Sequence, residues 1–271
     1  GGHTADGVTA AVERYDFRDK TWKSATDKPT PVYEINAAVI GGKIYVPGGR
    51  LASGKVTDAL EIYDPVNDQW QQGAKLPAPV SAYALAAFEG KLYLFGGWDG
   101  EQVYSTVYAY DPQQDVWQEK PPMSVARAYS GAVVVGRKIY VLGGYDGQRA
   151  LDISQVYLPD QEKNSASSAW QEAPSMPEKI YAMGVTSIAD IVYVLGGSGE
   201  EGRQYLALVF LEQTREWSMI EDLPKDMGEF IGLTNQGANL ILLGGKSKNQ
   251  PSQKALLYQA IFTVSIPIIV R

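Results

Sequence analysis

Apolar positions along this chain fall in short runs and alternations separated by turn formers, not in long helical stripes. From Ile35 to Ile40 the chain is apolar with small residues, Gly41-Gly42 interrupts it, and Lys43 to Pro47 (KIYVP) alternates before Gly48-Gly49. A polar loop follows, then Ala59 to Tyr63 (ALEIY), the turn Asp64 to Asp68 (DPVND) and the start of another strand at Gln69-Trp70-Gln71. Runs of this length bounded by Gly, Pro, Asn and Asp predict strands, and the two-residue Gly-Gly link predicts a hairpin. The stretch is a four-stranded meander, strands a to d. Its equivalents recur as KLYLFGG with VYAYDPQQDVW, as KIYVLGG, and as IVYVLGG with LVFLEQTREW. A last copy places a at Phe230 to Gln236, b at Asn239 to Leu243, c at Ala255 to Ala260 and d at Thr263 to Val270.

The meander repeats on a fixed step. Glycine pairs that close strand b fall at 1-2, 48-49, 96-97, 143-144, 196-197 and 244-245, giving intervals of 47, 48, 47, 53 and 48 residues. Tyr15, Tyr63, Tyr110, Tyr157 and Tyr258 follow the first glycine by 14 or 15 residues, and Trp22, Trp70, Trp117 and Trp217 by 21 or 22. Trp170 follows by 27, because Asp160 to Ala169 (DQEKNSASSA) lengthens one c-to-d turn. The units are 1–27, 28–77, 78–124, 125–178, 179–225 and 226–271 of one domain.

One meander of this size cannot bury both of its faces, whereas copies packed face to face around an axis can. The expected fold is an all-β propeller. Paired glycines, then a tyrosine, then a tryptophan at this spacing resemble the kelch repeat over nearly the whole chain; the sole Trp-Asp dipeptide, Trp98-Asp99, lies in a loop, so the WD40 pattern does not fit. The resemblance implies a kelch-type ring of six blades of four antiparallel strands. The first blade is incomplete, since unit one begins at its glycine pair, and seven blades with one lost upstream is the alternative.

Composition agrees with an all-β reading: 28 Gly, 17 Tyr and 6 Trp stand beside no Cys and a single His. A net charge of −7 repels a polyanionic backbone, so nucleic acid is not the expected partner. The longest apolar run, Ala260 to Val270, is about half of the roughly 20 residues of a membrane helix, so no membrane insertion is expected. Without Cys, neither disulfides nor Cys-based zinc sites arise. The chain starts Gly1-Gly2, so a targeting peptide is taken to be removed or not included; a monomeric domain, part of a longer chain and secreted or on the cell surface, is the favoured setting.

Candidate chemistry is sparse. One His, His3, cannot build a Ser-His-Asp triad or a multi-histidine metal site, so no catalytic residue, metal or cofactor is assigned. The glycine pairs lack the lysine and helix of a phosphate loop, and their expected role is positive φ. Function then rests on what varies between units. The b-to-c loops (RLASGKVTD, WDGEQVYST, YDGQRALD, SGEEGRQY, KSKNQPSQK) and the residues before strand a emerge on one side of the ring. That face carries Arg50, Trp98 and Tyr145 after the glycine pairs, and Tyr33, Glu34, Tyr83, Arg127, Tyr129, Tyr181, Glu229 and Phe230 before strand a.

Kelch relatives use this face for protein segments or small ligands, often through an arginine and aromatics near the channel. Arg127, in SVARAYSG, is the position matching that pattern, while Val32, Val80, Ile180 and Gly228 occupy it elsewhere. The expected function is a non-enzymatic recognition module for a protein or glycan partner. The alternative is a sugar-modifying enzyme of the sialic acid mutarotase type, with Glu34 or Glu229 as proton carrier beside Arg127. Galactose-oxidase-like copper chemistry fails for want of its Cys and His ligands.

Overall fold

In a computed structural model, the residues described are 1–162, 169–200, 207–220, 228–247, 250–252 and 255–260. The chain opens with a short hairpin, β1 (Gly2–Thr4) with β2 (Gly7–Thr9), and a second, β3 (Val12–Asp16) with β4 (Thr21–Ala25). Blade 1 is β5 (Ala38–Ile40), β6 (Lys43–Pro47), β7 (Leu60–Asp64) and β8 (Gln69–Gly73), hydrogen-bonded in that order and antiparallel throughout. Blade 2 repeats it with β9 (Ala84–Phe88), β10 (Lys91–Trp98), β11 (Val103–Asp111) and β12 (Val116–Lys120). Blade 3 is β13 (Gly131–Val135), β14 (Lys138–Leu142), β15 (Ser154–Tyr157) and β16 (Trp170–Glu172), with a 3-10 turn at Pro159–Gln161 in its long c-to-d connection. Blade 4 is β17 (Gly184–Ile188), β18 (Ile191–Leu195), β19 (Ala207–Leu211) and β20 (Glu216–Met219). In blade 5, β21 (Glu229–Gln236) pairs with β22 (Asn239–Ser247), whose other edge takes both the two-residue β23 (Gln250–Pro251) and β24 (Ala255–Gln259).

Among the described residues the chain is thus a β-propeller of five blades, not six: four are four-stranded meanders, and the fifth is β21 and β22 with the split edge β23 and β24. Unit one supplies only the hairpin β3–β4, its strands c and d, preceded by β1–β2, which follows its glycine pair in the place of the b-to-c connection of the other units. This half-unit is still in register with its neighbour: Gly2 N–H donates to Val32 O at 2.8 Å, as Gly49 does to Val80 and Gly144 to Ile180. The outer strand expected at Thr263 to Val270 lies outside the described residues. Strand a of blade 1 is shorter than Ile35 to Ile40 predicts, since the Asn36 carbonyl accepts the Tyr83 hydroxyl of the next blade, outside the ladder.

Four apolar layers lie between successive blades. Tyr45, Leu60 and Ile62 of blade 1 meet Leu92, Leu94 and Tyr110 of blade 2; Tyr93 and Phe95 on the opposite face of β10 meet Ile139, Val141 and Tyr157 of blade 3. The pattern continues from blade 3 to blade 4 and from 4 to 5. In blades 2 to 4 strands a and b are largely buried on both faces, which is why they read as apolar runs.

The repeated polar marks join blades at the outer edge. Trp70, Trp117, Trp170 and Trp217 each donate Nε1–H to a carbonyl of the preceding unit, Thr26, Ala74, Pro121 and Pro174, all at 2.9 Å. Tyr110 Oη donates to Asp115 Oδ1 at 2.6 Å, and the same carboxylate accepts Ala74 N–H at 2.6 Å; Tyr63, Asp68 and Thr26 repeat this one blade earlier. The Tyr110 hydroxyl and then the Ala74 amide hold Asp115 below the usual carboxylate range. A depressed carboxylate contributes stability in full above the ordinary aspartate pKa of about 3.9 and loses it as pH falls through the lower folded-state value. Asp115→Asn should therefore be less stable than the parent at neutral pH in urea titrations, and the gap should close on acidification below that range.

The glycine pairs carry tight approach between blades. Gly48 sits at φ +60°, and a Cβ there would lie 2.1 Å from the Val80 carbonyl oxygen. Gly48→Ala must displace the link into the next blade and should lower the thermal midpoint by several degrees or more, read by circular dichroism.

Candidate functional site

The face bearing the b-to-c loops is organised by two positions per blade. The residue after each glycine pair bridges to a residue shortly before strand a, three residues before it in blades 2 to 4: Arg50 to Tyr33, Trp98 to Ser81, Tyr145 to Ala128 and Ser198 to Tyr181, with Glu229 opposite Lys246 in blade 5. The next residue in each blade, Glu34, Ala82, Tyr129, Ala182 and Phe230, has φ between +54° and +58°. These five are joined around the axis by backbone bonds. Ala82 N–H donates to Glu34 O at 2.8 Å, Tyr129 to Ala82 at 2.6 Å, Ala182 to Tyr129 at 2.9 Å and Phe230 to Ala182 at 2.7 Å. Left-handed backbone is disfavoured for residues with a Cβ, and each such residue costs on the order of 1 kcal/mol. The relay of four bonds holds them there, and it aims their side chains at the channel mouth.

Small and large residues alternate in this ring, and the large ones meet across it. Tyr129 contacts Phe230 edge-on, with centroids 5.7 Å apart, and Tyr181 at 6.2 Å; Tyr181 in turn lies 5.4 Å from Tyr145. Burial, and next the charge of Glu34, push the Tyr129 hydroxyl pKa up, so it stays protonated at any physiological pH. On the blade 1 side, the Arg50 guanidinium lies 4.6 Å from the Trp98 ring centroid and 5.6 Å from that of Tyr33, and its Nη1 is 3.6 Å from Glu34 Oε1. Glu34 Oε2 is shielded from solvent and has no hydrogen-bond partner. Phe230 is 42% exposed, a large apolar side chain at the open mouth. His3 joins this side through an edge contact with Tyr33 at 5.4 Å.

Two of the expected site residues do not reach the face. Tyr83 is fully buried, with its hydroxyl donating to the Asn36 and Pro47 carbonyls, and it serves the joint between blades 1 and 2. Arg127 is also fully buried. Its Nη1 donates to the Gly143 and Ile153 carbonyls at 3.2 and 3.1 Å, and Nη2 to Gln155 Oε1 at 2.5 Å. Burial lowers its pKa to about 10, partly offset by Glu172, so it remains cationic. Glu34 and Glu229 are not its partners. The arrangement that a proton-shuttling site beside Arg127 requires is not formed, and the arginine that does stand at the mouth is Arg50. Tyr33, Glu34, Arg50, Trp98, Tyr129, Tyr145, Tyr181, Glu229 and Phe230 all sit at the bridged pair of positions or at the left-handed residue beside it. Among the described residues no three His, Cys, Asp or Glu side chains form a group suited to a metal ion, and no helix is long and apolar enough to cross a membrane.

Sequence reasoning missed the left-handed ring itself, although a signal for it exists. Glu34, Ala82, Tyr129, Ala182 and Phe230 each stand 14 residues before the first glycine of the pair that follows.

The fold and this mouth define a repeat propeller that carries side-chain diversity on one face. The Attractin/LZTR1 beta-propeller family matches over residues 1–205, and the chain belongs to that family. No curated protein sequence matches it significantly.

Proposed function

We propose that this propeller is a non-enzymatic recognition module that binds a protein segment across its channel mouth. The observation that carries the reading is the row of half-buried aromatics, Tyr129, Phe230, Tyr181 and Tyr145, presented on the face whose loops differ from blade to blade. Aromatic and arginine side chains that are rigidly seated but still accessible are the usual anchors of protein interfaces. Membership of the Attractin/LZTR1 propeller family is compatible with such a role. The kelch assignment of the repeat belongs to the same reading, supported by the Gly-Gly, Tyr and Trp spacing and by the shared duties of those residues in each blade. Between protein and glycan, the mouth favours protein: its side chains are aromatic and charged, and the carboxylate nearest its centre already faces Arg50.

The test is selection from a random-peptide display library on the immobilised domain, followed by re-testing of each binder on a Tyr145→Ala/Tyr181→Ala double variant of unchanged melting temperature. Binders from the mouth should weaken by about ten-fold or more, the loss expected for two aromatic anchors. Binders indifferent to the double variant would move recognition to another surface and overturn the proposal.

A further inference from the structure

We propose that the part of the mouth built by blades 3 to 5 receives a cationic side chain, lysine or arginine, from a partner protein. This rests on the recognition reading above and names the chemistry of what is recognised. The first ground is a template within the molecule. In the neighbouring sector Arg50 is held between the Trp98 and Tyr33 rings at 4.6 and 5.6 Å, with Glu34 Oε1 at 3.6 Å from its Nη1. Aromatic faces with a carboxylate beside them are the environment in which a cation binds by ring quadrupole and charge together.

The second ground is that the opposite sector has the same parts without the cation. Tyr129, Phe230, Tyr181 and Tyr145 form a continuous row, and among the described residues no lysine or arginine stands over any of these four rings. Lys246, which occupies the Arg50 position of blade 5, is not over them either. Glu34 lies between the sectors. Its Oε1 faces Arg50, while Oε2 is withdrawn from water and meets no donor at hydrogen-bond geometry, with the Tyr129 hydroxyl of the row close enough to act on the carboxylate. Its desolvation has already been met in folding, so a donor that reaches it adds a charge-assisted bond at no further solvation cost to the acceptor. Phe230, at 42% exposure, is the most exposed of the four rings. The net charge of −7 favours approach of a basic segment over an acidic one.

The test titrates the protein with N-acetyl-arginine amide and N-acetyl-lysine amide against their neutral counterparts, N-acetyl-citrulline amide and N-acetyl-norleucine amide, following tyrosine ring resonances by NMR. The two cations should perturb Tyr129, Tyr145 and Tyr181 and bind about ten-fold more tightly than the neutral pair. Glu34→Gln should remove most of that preference, and Phe230→Ala, a surface change that leaves the ring bonds in place, should alter affinity for the cations. Equal binding of charged and neutral probes, or perturbation confined to Trp98 and Tyr33, would overturn the proposal. Display binders that depend on Tyr145 and Tyr181 but need no basic residue would leave the recognition reading standing and this inference fallen; binders that never map to the mouth would fell the reading itself.

Discussion

Glu61→Ala is expected to destabilise the protein by about 3–5 kcal/mol, the cost of leaving one member of a buried ion pair without its partner. Glu61 is fully buried on strand β7 and Lys28 is 4% exposed on the link from the half-unit into blade 1. Their ammonium and carboxylate are in direct contact. Thr30 completes the carboxylate, its Oγ1 donating to Glu61 Oε1 at 2.7 Å, while Lys28 Nζ also donates to the Thr30 carbonyl at 3.0 Å. Removing the carboxylate strands a desolvated ammonium that has only that carbonyl and the Trp70 ring, 5.9 Å away, to face.

The repeat supplies the rescue. Lys28 N–H donates to Ala10 O as Leu76 does to Asp58, Met123 to Ser105 and Met176 to Asp152, so the same linker position is apolar in three other units. Across from it, Glu61 is matched by Tyr108 and Leu208 two residues before the strand-c aromatic. The double change Lys28→Met/Glu61→Leu should therefore restore stability to near or above the parent, since a packed apolar pair of similar volume is often at least as stable as a buried ion pair. Urea midpoints for the two single variants and the double variant read this as a cycle. A double variant as weak as Glu61→Ala would show that the pair does more than fill its site.

The contrast between these positions and the mouth explains what the sequence could carry. Gly48, Tyr110 and Trp117 do the same job in each blade, and a job repeated at a fixed step is visible as period. The Lys28–Glu61 exchange is visible too, but only against the other units, where a methionine or leucine stands. Arg127 misleads for a physical reason: it also breaks the period, yet whether an odd residue turns outward or inward depends on a partner distant in sequence. Gln155, a residue of the next strand c, offers the amide oxygen that draws the guanidinium inside. Likewise the early boundary of β5 is set by the Tyr83 hydroxyl from the following blade. The blade count failed for a related cause, since a glycine pair marks the end of strand b whether or not strands a and b precede it.

Arg127→Val should cost about 2–4 kcal/mol of stability while leaving peptide capture at the mouth unchanged, because the guanidinium serves charge-assisted hydrogen bonds inside blade 3 and presents nothing to the face. Valine fits the backbone, since Val32 and Val80 hold the same place and their carbonyls accept the N–H of Gly2 and Gly49 as the Arg127 carbonyl accepts that of Gly97. What is lost is specific. Gln155 Oε1 gives up its bond from Nη2, the Gly143 and Ile153 carbonyls give up theirs from Nη1, and Glu172 loses the charge of the guanidinium. Gln155 keeps its amide bonds to Ser124 and Glu172, so the network is left half satisfied, the costly condition for a buried polar cluster. Adding Gln155→Leu, the residue blade 4 has there as Leu208, should recover part of the loss. Peptide affinity compared at a temperature where both proteins are fully folded separates the two roles. A drop in affinity for Arg127→Val at unchanged folded fraction would return this arginine to the recognition face; a drop in the urea midpoint alone makes it a scaffold residue that holds strands β14 and β15 beneath Tyr145.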